Sequence, residues 1–268
     1  SAGGSRMLQK IIIDKELVRE RFCRTLGSYG SNAAVQKTMA ANLTEMICLE
    51  EPGCAFDRVL EVGSGSGLLM EELLGRCFIK SYFANDLVEE SHPFLLKVLD
   101  RIAVDDFHFI AGDIECCDVL PSELDLVASN ATLQWLDDLD DFFRTMSDHL
   151  KPGGILAFST FSTSNMQEIT SIEDVGLNYH TLGELEILAG RYFDITASRE
   201  KEERIEFSSP EAVLHHIRQT GVNGLQRRSW TKSRYRHFVD EYRRFFSCSN
   251  GVYLTYHPVY CCLKKKRL

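Results

Sequence analysis

The sequence predicts an α/β fold: a seven-stranded, mostly parallel sheet with helices on both faces and an added helical cover. Three observations predict it. Apolar stretches of strand length alternate with helical stretches from residue 58 to 161, as in a sheet built from β-α-β units. A glycine-rich run, Gly63-Ser64-Gly65-Ser66-Gly67, ends the first of these strands and opens a helix. Short motifs containing Asp or Asn recur at the ends of the following strands, where open parallel sheets bind their ligands.

The elements follow in order. Asp14 is placed to cap a helix reaching about Gly27, with Leu17, Val18, Phe22, Cys23 and Leu26 at helical spacing. Residues 31–50 form a second helix, ended near Pro52-Gly53. Strands are expected at 58–62, 79–85, 107–111, 124–129 and 155–161, with helices at 67–76, 94–102 and 138–150 between them. Lys151-Pro152-Gly153-Gly154 reads as a turn. Beyond it lie a helix at 181–191, a long strand or bent strand pair at 193–207, and a helix at 210–220 that Pro210 suits at its first turn. A helix at 231–246 and a final strand from Val252 to Leu263 complete the chain. The division expected is a tag remnant at 1–6 before Met7, N-terminal helices covering the site at 7–53, the core at 54–206, a helical insertion at 207–249, and a final strand with a basic tail at 250–268.

Composition narrows the function. Lys and Arg number 30 against 39 Asp and Glu, a net charge of −9, which disfavours nucleic acid as a partner. No apolar run approaches the roughly 20 residues of a membrane span. The nine cysteines form no Cys-x-x-Cys pair, only the doublets Cys116-Cys117 and Cys261-Cys262. Reduced thiols in a cytoplasmic, monomeric protein with no metal are the expectation.

The motif around the glycines is Glu61-x-Gly63-x-Gly65-x-Gly67. A dinucleotide fingerprint would need glycine where Leu68 stands. A glycine-rich turn is the plainer alternative. Asp86 ends the next strand, where a carboxylate can accept both hydroxyls of a ribose or cap a helix. Gly112-Asp113-Ile114 follows the third strand and is also compatible with a simple turn. Asp125 to Asn130 ends the fourth.

Over residues 57–161 the chain resembles the class I S-adenosylmethionine-dependent methyltransferases, a Rossmann-like family. The resemblance implies S-adenosylmethionine as cofactor. Glu61 would serve its methionyl end, Gly63, Gly65 and Gly67 its backbone cradle, and Asp86 with Leu87 its ribose. Asp113 would bind the adenine amino group, Ile114 would pack on the ring, and Asn130 would lie near the methyl group. A narrower resemblance spans nearly the whole chain. Arg21-Phe22-Cys23-Arg24 with Ser28-Tyr29 and Gln36, Ala111-Gly112-Asp113-Ile114-Glu115, Ser129-Asn130-Ala131-Thr132-Leu133-Gln134-Trp135, and Tyr253-Leu254-Thr255-Tyr256-His257 are similar to the malonyl-acyl carrier protein O-methyltransferase family of biotin synthesis. Ser64 and Ser66 depart from the Cys and Pro commoner in that family's glycine loop.

That resemblance implies methylation of the free carboxylate of malonyl-acyl carrier protein. A carboxyl group that titrates near ~4 is already ionised at neutral pH, so no general base is expected. Arg24 and Tyr29 are the candidates to hold it, with Gln134, Trp135, Tyr256 and His257 also on the substrate side. Taken alone, Arg24 reads as a surface arginine and Trp135 as core. Residues 225–244 hold Arg227, Arg228, Lys232, Arg234, Arg236, Arg243 and Arg244 against Asp240 and Glu241, a local charge of +5 (seven minus two). This is either a solvated helix face or a docking patch, chiefly Arg227, Arg228, Lys232, Arg234 and Arg236, for the acidic carrier protein. Two rivals stay open: a class I methyltransferase for another small carboxylic acid or a quinone precursor, and a cofactor-binding protein without turnover.

Overall fold

The computed structural model describes residues 14–26, 31–173, 176–220 and 230–267. Two helices lead, α1 (Lys15–Thr25) and α2 (Ser31–Glu50). The core then alternates β1 (Ala55–Val62), α3 (Leu68–Arg76), β2 (Phe78–Asp86), α4 (His92–Arg101), β3 (Asp106–Ala111), β4 (Leu124–Asn130), α5 (Leu139–His149) and β5 (Leu150–Phe161). After it come α6 (Gln167–Glu173), α7 (Leu182–Ala189), β6 (Phe193–Glu200), β7 (Glu203–Phe207), α8 (Pro210–Thr220), α9 (Lys232–Phe245), β8 (Ser247–Cys248), β9 (Gly251–Tyr256) and β10 (Pro258–Lys265).

Seven strands form the main sheet in the order β3-β2-β1-β4-β5-β10-β6. The first five pair in parallel, while β10 runs antiparallel to both β5 and β6. Successive residues of a strand face opposite sides, so each central strand feeds two cores. Val59, Leu126 and Ile155 pack on the side of α2, α3 and α4, whereas Leu60, Val127 and Leu156 pack on the side of α5 and α7. Burial on both faces explains why these strands read as continuous apolar runs. The long α2 presents Met39, Ala40, Leu43, Met46 and Ile47, all buried, at the i, i+4, i+7 spacing of one helical face. Val213, Leu214 and Ile217 of α8 and Phe238 and Tyr242 of α9 share that same core. Among the described residues no helix is long and apolar enough to cross a membrane.

Three expectations change. The turn at 151–154 lies inside β5, which starts at Leu150 and absorbs Pro152 and Gly153 (φ +77°) in a register shift against β4. The final strand is two strands broken at His257: β9 pairs with β7 and β8 in a separate three-stranded sheet, and β10 joins the main one. The 193–207 pair divides the same way, β6 staying in the main sheet and β7 leaving it. Helix α6 carried no distinctive pattern in the sequence. Its Glu168 is buried and accepts from the Thr255 N–H at 2.6 Å and the Thr255 hydroxyl at 2.7 Å, which fastens the small sheet to it.

Candidate active site

The strand order reverses between β1 and β4, which is where a crevice opens at the carboxyl ends of a parallel sheet. Glu61 lies there, the penultimate residue of β1 and 1% exposed. The Tyr82 hydroxyl donates to its Oε1 at 2.5 Å. Burial nevertheless pushes the Glu61 carboxyl up to about 7, with the neighbouring Asp86 charge adding to it. The buried Ser64 hydroxyl beside it makes no hydrogen bond of normal geometry.

The glycine loop is left-handed at Gly63 (φ +76°), Gly65 (φ +53°) and Gly67 (φ +93°). The three sites are not equivalent. A Cβ on Gly63 would sit 2.1 Å from Thr132 Oγ1, and one on Gly67 2.9 Å from Val98 Cγ2. On Gly65 it would meet nothing within 4 Å. Gly63 and Gly67 are therefore demanded by packing, and Gly65 borders open space from which a ligand can reach the backbone. Asp86 holds this loop: its Oδ2 accepts from the Gly65 N–H at 2.7 Å and its Oδ1 from the Val88 N–H at 2.8 Å. Burial raises its pKa and those two N–H groups oppose the rise. Each oxygen keeps a second lone pair for a hydroxyl donor. Leu87 follows, half-buried.

At the end of β3, Asp113 caps a short 3-10 turn, Ile114–Cys116, by accepting from the Glu115 N–H at 3.0 Å. Its other oxygen accepts from Lys15 Nζ at 2.8 Å, and Lys15 also reaches Glu115 at 2.5 Å. Helix α1 is thereby fastened over the β3 end. Ile114 is buried in the core on the α5 side. At the end of β4, Asn130 donates to the Gln36 carbonyl of α2 at 3.1 Å and accepts from the Ser159 hydroxyl at 2.6 Å. Gln134 donates to the Ala131 carbonyl and accepts from the Thr160 hydroxyl, both at 2.8 Å. Trp135 meets Phe22 of α1 edge to face, centroids 5.3 Å apart.

The structure thus gathers Glu61, the glycines, Asp86, Asp113 and Asn130 at one end of the sheet, with Trp135 under α1. Tyr256 and His257 sit at the crossover between the two sheets. Tyr256 is 2% exposed and shares a 2.5 Å hydrogen bond with His216, whose pKa burial lowers to about 4. His257 Nδ1 accepts from the Ser164 N–H at 3.2 Å, so its neutral form carries the proton on Nε2. Arg24 lies on α1, while Tyr29, Arg227 and Arg228 lie outside the described residues. Lys232 and Arg236 are exposed on α9. Arg234 is not a free docking cation. Its guanidinium pairs with Glu173 of α6 and stacks 4.8 Å over Trp230. The sequence reading overlooked Lys15 and gave no site role to Tyr82, nor to Gln36 and Thr132, which it had quoted within its motifs. Tyr82 had a usable signal, as it lies two residues before Ala84, the residue that pairs with Glu61 across β1 and β2.

Similarity to known proteins agrees with this geometry. A family profile described as a methyltransferase domain matches residues 60–158. The structure resembles an N-methyltransferase, NodS, from Bradyrhizobium japonicum in complex with S-adenosyl-L-homocysteine, at a TM-score of 0.56, 13% identity, and coverage of 93% of this chain and 99% of that one. It also resembles the YcgJ protein of a Bacillus at a TM-score of 0.62, 12% identity, and coverage of 85% and 99%. At such identities these likenesses show the fold alone. Malonyl-[acyl-carrier protein] O-methyltransferase of Chlorobium luteolum is 52% identical over 96% of this chain and 97% of its own length. The protein of the same name from Prosthecochloris aestuarii is 47% identical over 94% of each. The chain belongs to the malonyl-[acyl-carrier protein] O-methyltransferase family.

Proposed function

We propose that this chain transfers a methyl group from S-adenosylmethionine to the free carboxylate of malonyl-acyl carrier protein, as a cytoplasmic enzyme of biotin synthesis. The observation that carries the reading is the 52% identity running across nearly both chains, because it includes the covering helices and the crossover as well as the generic core. The nine free thiols fit a reducing compartment.

The cradle suits the donor. Gly65 offers backbone beside open space, Ser64 has an unmatched hydroxyl, and three carboxylates line the ends of β1 to β3. In this reading Glu61 faces the cationic methionyl end, Asp86 with Leu87 the ribose, and Asp113 with Ile114 the adenine. When bound, S-adenosylmethionine supplies an electrophilic methyl group on a sulfonium. The attacking malonyl carboxylate is ionised without help, so the chain's task is to orient it, exclude water and hold its charge. The end of β4 carries Ser129, Asn130 and Ala131, none of which titrates near neutral pH. Asn130, tied to α2 and β5, is a positioning residue there. Arg24 and Tyr29 hold the substrate carboxylate, since a buried charge needs a partner. Trp135 forms part of the wall. Gln134, Tyr256 and His257, whose polar atoms already have protein partners, keep that wall in place. Arg227, Arg228, Lys232 and Arg236 recruit the acidic carrier.

The test uses purified protein, methyl-labelled S-adenosylmethionine, and malonyl-, succinyl- and glutaryl-acyl carrier protein beside the free acids. Label on malonyl-carrier and little on free malonate is expected. Label on a free acid alone shifts the assignment to a small-acid methyltransferase. No label on any acid leaves the substrate assignment without support.

A further inference from the structure

Three cysteines without any motif spacing, Cys48, Cys54 and Cys77, converge at the opposite end of the sheet from the candidate active site. Cys48 lies in the last turn of α2, Cys54 just before β1, and Cys77 between α3 and β2. Their sulfur atoms all lie within 4.8 Å of one another, and Cys48 Sγ is 3.9 Å from Cys77 Sγ. Zinc–sulfur bonds of ~2.3 Å place two sulfurs of one ion about 3.8–4.0 Å apart. A disulfide would need the same pair at about 2.0 Å. The Cys48–Cys77 spacing matches that of co-ligands, and in the metal-free protein the same pair makes an S–H···S contact.

The surroundings are fixed. Cys54 occupies left-handed backbone (φ +46°), uncommon for a residue with a side chain. It is held there by its own N–H on the Glu51 carbonyl at 2.9 Å and by the Phe78 N–H on its carbonyl at 2.8 Å. Cys77 is 8% exposed, while Cys48 and Cys54 are partly exposed, so an ion has an entry. Among the described residues no further His, Cys, Asp or Glu joins the group.

We propose that Cys48, Cys54 and Cys77 form a three-thiolate site for a thiophilic cation, Zn²⁺ or Cu⁺, that clips the end of α2 to the first two strands. One ion displaces three thiol protons and forms three metal–sulfur bonds, with no change of oxidation state. The role is structural, because α2 crosses from this corner to the active site, where its Gln36 carbonyl accepts from Asn130.

The full chain, reduced and anaerobic, is titrated with Zn²⁺ and separately with Cu⁺ against a chromophoric chelator. One equivalent of at least one ion is expected to bind with a Kd below about 1 µM, with proton release and a raised Tm. The two arms decide which ion is preferred. Cys54→Ser and Cys77→Ser are expected to weaken uptake at least ~100-fold, and Cys116→Ser to leave it unchanged. Cys48→Ala, at a partly exposed position, serves if Cys77→Ser does not fold. Uptake of neither ion below about 1 µM, or uptake undiminished in the Cys54 and Cys48 variants, overturns the proposal.

Discussion

Replacing Glu61 by Gln tests the electrostatic heart of the site. In the unfolded chain this carboxyl releases its proton near 4.5, and in the folded chain near 7. Between those values the unfolded state binds fewer protons, so stability falls as pH rises. Below 4.5 both states are protonated and the site costs nothing. Above 7 both are ionised and the penalty is complete. The gap of 2.5 units (7 minus 4.5) corresponds to about 3 kcal/mol at full burial. Glutamine keeps the shape and still accepts from Tyr82, but its added N–H₂ must find a partner, at a cost of about 1 kcal/mol. The ligand-free variant should therefore be about 2 kcal/mol more stable than the parent at pH 8 and slightly less stable at pH 4.5. Urea unfolding of both proteins at half-unit steps from pH 4.5 to 8 measures this. Because a cationic ligand favours the ionised carboxylate, S-adenosylmethionine affinity should also rise with pH through 7 in the parent and stay flat in the variant. Parallel stability curves for the two proteins would refute the assigned burial of charge at Glu61.

The glycines separate packing from ligand approach. Gly65→Ala should keep the fold, with a cost of about 1–2 kcal/mol for its positive φ, yet lose at least ~10-fold in S-adenosylmethionine affinity by calorimetry. Gly63→Ala should cost about 2–4 kcal/mol in thermal unfolding, since its Cβ would fall 2.1 Å from Thr132 Oγ1. Normal cofactor binding by Gly65→Ala would remove the loop from the cradle. Arg24→Ala should raise the KM for the malonyl substrate at least ~10-fold with cofactor affinity unchanged; lost cofactor binding would move Arg24 to the other side of the site. Reversing Arg227 and Arg228 to Glu should lower kcat/KM on the carrier-linked substrate, and less so in high salt, while a malonyl thioester of a small thiol is turned over as before. Equal loss on both substrates counts against docking. Arg234→Ala should instead lower stability by about 2 kcal/mol, because its partner Glu173 is only 10% exposed.

What could be read from the sequence was the part governed by local periodicity and by strand ends. The alternation from 58 to 161 follows from burial on both faces of the sheet, and the glycines, Asp86 and Asp113 fall at strand ends where the fold places ligands. What could not be read depends on contacts between distant residues. Nothing near Lys15 signals its reach to Asp113, 98 positions away, and nothing near Arg234 signals Glu173. The break at His257 was hidden because residues 252–263 are apolar on both sides of it. Both halves are buried strands, and only the change of partners, β7 and β8 for β9 but β5 and β6 for β10, reveals the corner. The cysteine trio escaped for the same reason, since spacings of 6 and 23 residues match no ligand motif (54 minus 48, 77 minus 54).

The distribution of charge around the crevice constrains how the proposed reaction is approached. Glu61 and Asp86 line the ends of β1 and β2, while Asp113 at the end of β3 is paired with Lys15; a malonyl carboxylate brought beside Glu61 or Asp86 in its ionised form would meet a like charge worth about 4 kcal/mol at 4 Å near a protein surface. The ends of β4 and β5 instead offer neutral polar groups, Asn130, Gln134, Ser159 and Thr160, already locked together by hydrogen bonds. In the proposed reading the donor's cationic end lies on the β1 side and the substrate anion on the β4–β5 side, with the transferred methyl between them. No cationic residue among those described stands at the β4 or β5 end of the sheet itself, whose last residues are Ser129 and Asn130 in β4 and Thr160 and Phe161 in β5. In the proposed reading the countercharge comes from the cover. Helix α1, with Arg19, Arg21 and Arg24 in its sequence, is fastened at the β3 end by Lys15 on Asp113 and at the segment after β4 by Phe22 on Trp135. In the proposed arrangement the sheet selects the donor and the cover selects the acceptor, so the generic core alone would not define the substrate.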